Sequence, residues 1–344
     1  MEGPFSQVVA SAEWRQQAQV WLEARLTEAG HRLTGVPEQR RIRPWSTQLV
    51  VPTDRGPVWF KANCEALAFE PEVQRVLSLL VADEVDTPLA LDSDRGWLLT
   101  ADRGWALRDQ REPTLDDWRA VVRLAATLQR RVAGSGPTLV AAGLPDCAPE
   151  TVESRHESMV QRLSALPPEH PSHLGPSEAA TLRAGSGAVK RAVEELMAAP
   201  LPATFQHGDL HPGNVFAVGG GLRLFDFGDA QWAHALEVLA VPYRWVTRLT
   251  RLPWNQVLDA YAEVWSDVVS RADLERLLPA AMVTHAVNRS FTWLGAIEGA
   301  QADELQEWGD APAYYLRLAH EPLPPVVGDE VPRGCRAPGP PRSR

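Results

Sequence analysis

Along the N-terminal segment, to about residue 34, apolar positions recur at helical spacing: Trp14, Ala18, Trp21, Leu22 and Leu26 share a face with the stem of Arg25. That spacing predicts a helical segment. From Ile42 to Ala62 the texture changes. Gln48–Val51 and Val58–Ala62 read as strands separated by the turn Asp54-Arg55-Gly56-Pro57. A helix follows, with Pro71 suited to its first turn and Val73, Val76, Leu77 and Leu80 on one face. Thr87–Leu91 and Gly96–Thr100 then read as two further strands across an Asp92–Gly96 turn. Strands, a helix and strands again make a small α+β lobe.

Beyond about Asp102 the pattern is mainly helical. Asp116–Val132 predicts a helix burying Val121, Val122, Leu124, Ala125 and Leu128. Residues 134–149 read as a loop, and helices are expected over about 150–166 and 177–198, parted by Pro167, Pro168, Pro171 and Pro176. Helices resume with Trp254–Val269, Arg271–Leu278 and Ala280–Gly299 and run to about residue 320. Residues 203–231 are the one β-containing insert in this half. The stretch 326–344 holds four Pro, three Gly and four Arg with little to bury, and is expected to be disordered. The expected division is thus a helical extension (1–40), a small β-rich lobe (41–102), a larger helical lobe (103–325) and a tail (326–344).

Composition narrows the class. With 344 residues, 44% of them hydrophobic, the chain has room for two lobes of ordinary globular character. No apolar stretch is long enough to cross a bilayer, and no basic region followed by an apolar core opens the sequence. The cytoplasm is therefore the expected compartment, with no membrane partner. Cys64, Cys147 and Cys335 form no close pair and no metal spacing. A net charge of −10 argues against a nucleic-acid surface and favours a neutral or cationic partner through steering. Among thirteen Trp, the helical-spaced Trp118, Trp245, Trp265 and Trp293 are expected to pack in cores, whereas Trp97 falls near the junction of the lobes.

Lysine usage is sharper. Of 34 basic residues only Lys61 and Lys190 are Lys, so a Lys here marks a place where an ammonium serves and a guanidinium does not. Lys61 lies in the strand-like Val58-Trp59-Phe60-Lys61-Ala62. Lys190 lies in an amphipathic, charged helix and reads as solvated.

The densest chemistry is His207-Gly208-Asp209-Leu210-His211-Pro212-Gly213-Asn214-Val215, followed by Phe225-Asp226-Phe227-Gly228-Asp229. Val215–Val218 and Leu222–Phe225, joined by Gly219-Gly220-Gly221, predict a hairpin. Its ends, Asn214 and Asp226, would meet at the ~5 Å spacing of paired strands. An amide oxygen and a carboxylate so placed suit a hard cation such as Mg²⁺. Gly208, Gly213 and Gly228 let the backbone bend around the site. A zinc reading of His207 and His211 is opposed by Gly208, Pro212 and Gly213, which disfavour a helix. His207 reads instead as a buried histidine that fixes Asp209.

Asp and Asn separated by four residues and followed by D-F-G reproduce the order used for phosphoryl transfer by protein kinases, with Gly208 in place of Arg. HGDLHPGN with FDFGD resembles the signature of the aminoglycoside phosphotransferase family, the small-molecule kinases that include choline-kinase-like enzymes. The resemblance implies an α+β, protein-kinase-like bilobal fold, with a small β-rich N-terminal lobe and a larger, mainly helical C-terminal lobe. It implies ATP and Mg²⁺ bound between the lobes and a hydroxyl acceptor on the helical one. By position, Asp209 is similar to the catalytic base, Asn214 and Asp226 to the magnesium ligands, and Lys61 to the phosphate lysine. The lysine's partner is expected on the following helix at Glu70, with Glu65 and Glu72 as alternatives.

Two features depart from the pattern. No G-x-G-x-x-G precedes Lys61; Trp45-Ser46-Thr47 stands there, with Ser46 either a phosphate contact or a plain turn serine. No second Asp supporting the loop is evident after Asp229, and Glu237 is the substitute considered. The expected activity is ATP- and Mg-dependent transfer of the γ-phosphate to a small-molecule hydroxyl, an aminoglycoside or another amino or sugar alcohol being acceptors that fit. The alternative is a nucleotide-binding regulatory pseudokinase. A protein kinase is disfavoured by the missing activation loop and A-P-E. Asp259, Glu263, Asp267, Asp303, Glu304 and Glu307 either line a pocket for an aminated acceptor or form solvated helix faces.

Overall fold

The computed structural model describes residues 3–250 and 252–321. The tail expected at 326–344, with Cys335, lies outside them. Helices α1 (Phe5–Ala10) and α2 (Ala12–Glu28) come first, parted at Ser11, whose hydroxyl caps α2 by accepting from Trp14 N–H at 3.1 Å. Strands β1 (Glu38–Ile42), β2 (Ser46–Val51) and β3 (Val58–Asn63) follow, then α3 (Glu70–Leu80), β4 (Ala90–Asp92) and β5 (Trp97–Ala101). They form one antiparallel five-stranded sheet in the order β1-β2-β3-β5-β4.

Alternation along β3 sends Phe60 and Ala62 one way and Lys61 and Asn63 the other. Phe60 and Trp97 pack against Trp14 and Trp21 of α2, with ring centroids 5.4–6.1 Å apart. The N-terminal helices therefore close the outer face of the sheet, and Trp97 is core there rather than a ligand platform. On the Lys61 side α3 begins, and its Val73, Val76 and Leu77 join the core of the larger lobe.

That lobe contains α4 (Leu107–Gln110), α5 (Leu115–Val132), α6 (Gly136–Ala141), α7 (Val152–Ser164), α8 (Pro176–Ala184) and α9 (Ser186–Met197). After the ribbons β6 (Ala203–Gln206) with β9 (Gln231–His234) and β7 (Val215–Val218) with β8 (Gly221–Leu224) come α10 (Ala240–Leu249), α11 (Trp254–Trp265), α12 (Arg271–Ala296), α13 (Ala302–Trp308) and α14 (Ala311–Leu318). Helix α12 packs against α7, α9 and α14, and α5 against α11. Trp118 and Trp265 are core, as their spacing predicts, but Trp245 and Trp293 are half-buried. Among the described residues, no helix is long and apolar enough to cross a membrane.

Four local expectations are corrected. The expected Thr87–Leu91 strand is shifted towards its C-terminal end: β4 is Ala90–Asp92, preceded by a Leu89 N–H bond to Leu99 O at 2.8 Å, because Pro88 cannot donate to a ladder. The expected 134–149 loop contains α6, where Pro137 sits in a first turn and Leu139 is fully buried. The expected 177–198 helix is two, broken at Gly185, where a Cβ would lie 2.6 Å from His320 Nδ1. Finally, the break expected at Pro279 is absent: α12 runs 26 residues straight through it. A mid-helix proline costs about 3 kcal/mol. Burial of Leu274, Leu277 and Leu278 around it outweighs that at roughly 1.5–3 kcal/mol each.

Candidate active site

Residues far apart in sequence meet where the sheet faces the larger lobe. Lys61 Nζ lies 2.6 Å from Glu70 Oε2 and 2.6 Å from Asp226 Oδ1. Glu70 is 1% exposed and fully engaged: its Oε2 also accepts from Asn63 Nδ2 at 2.8 Å, and its Oε1 accepts from Phe227 N–H at 3.0 Å. It thereby ties β3, α3 and the Asp226-Phe227-Gly228 segment together. Burial alone would lower the Lys61 ammonium, but the Asp226 and Glu70 carboxylates outweigh it and hold its pKa above the ordinary value. Burial would raise Asp226, yet Lys61 and Arg41 keep it below the usual range. Among the described residues, Asp226 is the one non-glycine residue with positive φ, at 66°. Such strain persists only where the surroundings impose it, and here it leaves the carboxylate 34% exposed.

The hairpin brings the second half of the site alongside. Val215 pairs with Leu224, and Phe225 N–H donates to Asn214 O at 3.2 Å, so Asn214 and Asp226 lie at adjoining strand ends. Asn214 Nδ2 donates to Asp209 O at 2.9 Å and approaches Asp209 Oδ2 at 3.3 Å. Its Oδ1 makes no hydrogen bond to a described residue. Two acceptor oxygens thus remain, one amide and one carboxylate, of the kind that hard divalent cations take.

Both loop histidines are used structurally. His207 Nε2 donates to Phe225 O at 2.9 Å while its Nδ1 accepts from Asp209 N–H at 3.4 Å, and burial holds its pKa below the ordinary value. His211 Nδ1 accepts from Gly213 N–H at 2.9 Å, which places the proton on Nε2, 3.3 Å from Asp209 Oδ2. Burial would raise Asp209, but His211 and Arg289 outweigh it and its pKa falls well below the carboxylate range. No group of three or more His, Cys, Asp or Glu able to hold a metal occurs among the described residues.

A sequence profile adds the deciding observation: that of the phosphotransferase enzyme family matches residues 65–279, more than half the chain. The chain belongs to this family. The protein is accordingly a small-molecule kinase, using a nucleotide and a small-molecule acceptor. Solved structures share its protein-kinase-like fold. A macrolide 2′-phosphotransferase from Brachybacterium faecium is 14% identical over 86% of this chain and 97% of its own, with a TM-score of 0.54. A choline/ethanolamine kinase family protein from Mesorhizobium loti is 16% identical over 89% and 94%, TM-score 0.57. An aminoglycoside 2′-phosphotransferase in complex with GDP is 16% identical over 88% and 98%, TM-score 0.52. At these identities the likeness is one of fold. No curated protein matches significantly.

In the kinase, the other residues that the sequence suggests separate from this centre. Glu72 is spent on Arg75 at 2.5 Å, and Glu65 stands exposed in a short turn before α3. Ser46 is the exception: buried at the head of β2, it pairs with Asn63 on the Lys61 face of the sheet, and its hydroxyl lies 3.5 Å from the Nη2 of Arg41, the arginine that acts on Asp226. Asp259 pairs with Arg271 at 2.7 Å, Glu263 with Arg123 and Asp267 with Arg130. Glu304 caps α13, and Asp303 and Glu307 are exposed. These acids are thus helix-face pairs, a cap and exposed positions of α11 to α13.

Glu237 does not support the loop. It is buried beneath α12, accepting from Thr284 Oγ1 at 2.8 Å and Asn288 Nδ2 at 3.1 Å. Burial pushes it up to about 8 from 4.5. Between those values the folded kinase holds a proton that the unfolded chain has released, so stability falls as pH rises, by about 1.4 kcal/mol per unit. Glu237→Gln is expected to flatten this slope in thermal melts from pH 5 to 8. Parallel wild-type and variant profiles would refute the assignment.

The residue that does abut the loop is Asp229. A Cβ on Gly208, whose φ is +78°, would lie 1.9 Å from Asp229 O. Asp229 Oδ1 is paired with Arg289 Nη1 at 2.6 Å, and Asp229 and Asp209 together hold the arginine's pKa above normal despite its burial. Neither Arg289 nor Arg41 stands out in the sequence. Asp229, the last residue of the FDFGD motif, is the available signal for the first.

Proposed function

We propose that the kinase transfers the γ-phosphate of ATP to a hydroxyl of a small molecule, with Mg²⁺, by means of Lys61, Asp209, Asn214 and Asp226. The observation that carries this is Asp226 itself. A carboxylate forced into a left-handed backbone, bonded to the one buried lysine and set beside Asn214, has no evident structural need for that geometry. The GDP in one structural neighbour supports a guanine donor as well as an adenine one. The reaction is placed in the cytoplasm, where nucleoside triphosphates are held.

In this reading Asn214 Oδ1 and Asp226 hold Mg²⁺, which neutralises phosphate charge when bound. Lys61, kept charged by Glu70 and Asp226, pins the phosphates. Asp209 accepts the hydrogen bond of the acceptor hydroxyl and aligns its oxygen for in-line attack. As the O–P bond forms and the bond to the departing ADP breaks, the hydroxyl proton passes to Asp209. Its low pKa makes it a weak base in the ground state, so its work is mainly alignment, which suits a loose transition state. The helix that follows β9 at once leaves no activation segment for a protein substrate.

A coupled ADP-release screen over aminoglycosides, macrolides, amino alcohols, sugars, sugar acids and nucleosides tests this. Acceptor-dependent ADP release is expected. Saturable nucleotide binding with no ADP release from any class would instead support a regulatory, non-catalytic role.

A further inference from the structure

The hairpin of β1 and β2 lies where a protein kinase carries its glycine-rich loop, yet residues 38–51 contain no glycine. At its turn Pro44 has no N–H, and that of Arg43 is bonded to Ser46 O at 2.9 Å. The amide cradle that a glycine-rich loop offers phosphate is therefore not built here. Trp45 holds the turn against the larger lobe, its ring centre 5.5 Å from that of Trp293 and 5.2 Å from that of Trp308.

What this hairpin presents instead is a guanidinium. Glu38 pairs with Val50 and Gln39 with Leu49, but the register then slips, so that Arg41 faces Gln48 and Ile42 faces Thr47. The bulge decides which way Arg41 points. Gln39 and Ile42 lie on the face covered by α1 and α2: Gln39 Nε2 donates to Val9 O at 3.1 Å, and Ile42 packs on the core around Trp14. In a regular strand Arg41, two residues on from Gln39, would share that face. The bulge turns it over, into the row Arg41, Gln48, Lys61 on the side of Asp226. The Arg41 and Lys61 backbones stand two strand spacings apart, about 10 Å, and both cations act on the Asp226 carboxylate.

The guanidinium so aimed is largely unpartnered. Ser46 Oγ, 3.5 Å from its Nη2, is its one side-chain hydrogen-bond partner among the described residues. Its Nε is buried with no partner, and it forms no ion pair with a described residue. Lys61 takes the direct bonds of Glu70 and Asp226. Burial pulls the Arg41 pKa below its ordinary value, Asp226 and Glu70 oppose this from beyond contact, and Arg43 adds to it. Five donors drawn out of water are costly until an anion takes them, and phosphate oxygens match their fork.

We propose that Arg41 grips the phosphate chain of the nucleotide from the side opposite Lys61, supplying with one charged side chain what the hairpin backbone does not. This rests on the phosphotransferase reading of the site. A triphosphate laid over Asp226 then has a cation on each flank, the compact ammonium of Lys61 on one and the forked guanidinium of Arg41 on the other.

The test measures binding to the full chain by calorimetry with Mg²⁺, comparing ATP and GTP with their nucleosides. In the wild type the better triphosphate is expected to bind more tightly than its nucleoside. Arg41→Gln should weaken that triphosphate about 10–100-fold and leave the nucleoside within about twofold. Arg41→Lys, which keeps the charge but not the fork, should recover part of the loss. A role confined to folding would move triphosphate and nucleoside together, or neither. Either result overturns the proposal, while ADP or GDP release by the wild type keeps the kinase reading. Phosphate-dependent binding that Arg41→Gln loses, with no nucleotide turnover by the wild type on any acceptor, supports Arg41 and counts against the phosphotransferase reading. A wild type that binds both triphosphates no better than their nucleosides overturns the two together. Should the variants fail to fold, phenylglyoxal modification of the wild type decides. The triphosphate with Mg²⁺ should shield Arg41, read by mass spectrometry of its peptide, and the nucleoside should not; equal modification under both overturns the proposal.

Discussion

Asp209→Asn is expected to lower kcat by about 10²–10⁴-fold while nucleotide affinity stays within about twofold. The side chain is 35% exposed at the head of the loop, and its one carboxylate contact to a charged-capable group is His211 Nε2. An amide has the same shape and its Oδ1 still accepts from His211, so the loop should keep its conformation. What is lost is the negative charge that orients the acceptor hydroxyl and finally takes its proton. Steady-state kinetics with a confirmed acceptor, alongside calorimetry with nucleotide and Mg²⁺, separate the two effects. A variant retaining most of its kcat would remove Asp209 from the mechanism.

Asp226→Asn is expected to cost more than about 10²-fold in kcat and, unlike the first variant, to weaken Mg-dependent nucleotide binding markedly. Asn is among the residues that tolerate a left-handed backbone, so the φ of 66° should survive the substitution. Lys61 keeps Glu70 as a partner at 2.6 Å, which preserves the link between β3 and α3. The change therefore isolates the charge. Calorimetry with and without Mg²⁺ reads it directly: the metal-dependent part of nucleotide affinity should collapse. If Mg²⁺ strengthens binding equally in both proteins, Asp226 is not a metal ligand.

The parts of the site legible in the sequence are those encoded locally. Asp209, Asn214 and Asp226 lie within one loop and one hairpin, whose glycines and alternation fix the approach of its ends. Lys61 is visible through lysine scarcity and strand context, and Glu70 through its place at the head of the next helix. The illegible parts depend on tertiary packing. Arg289 reaches Asp229 from α12, with nothing in local spacing to mark it among so many arginines. Trp97 reads as close to the lobe junction because periodicity does not say which face of a sheet a helix covers; α2 covers that one. Pro279 reads as a helix end until the leucines around it are seen to be buried. Acidic helix residues are ambiguous in sequence because a solvated face and a pocket wall share one pattern.

Phosphorus NMR of the full chain with ATP, Mg²⁺ and an acceptor most directly tests the claim that Asp209, Lys61, Asn214 and Asp226 form a phosphoryl-transfer centre facing a small-molecule hydroxyl. The expected spectrum shows a phosphate monoester growing in step with ADP in the wild type and neither signal in Asp209→Asn. A γ-phosphate that stays on the nucleotide with every acceptor, or that appears only as inorganic phosphate at equal rates in both proteins, would contradict it.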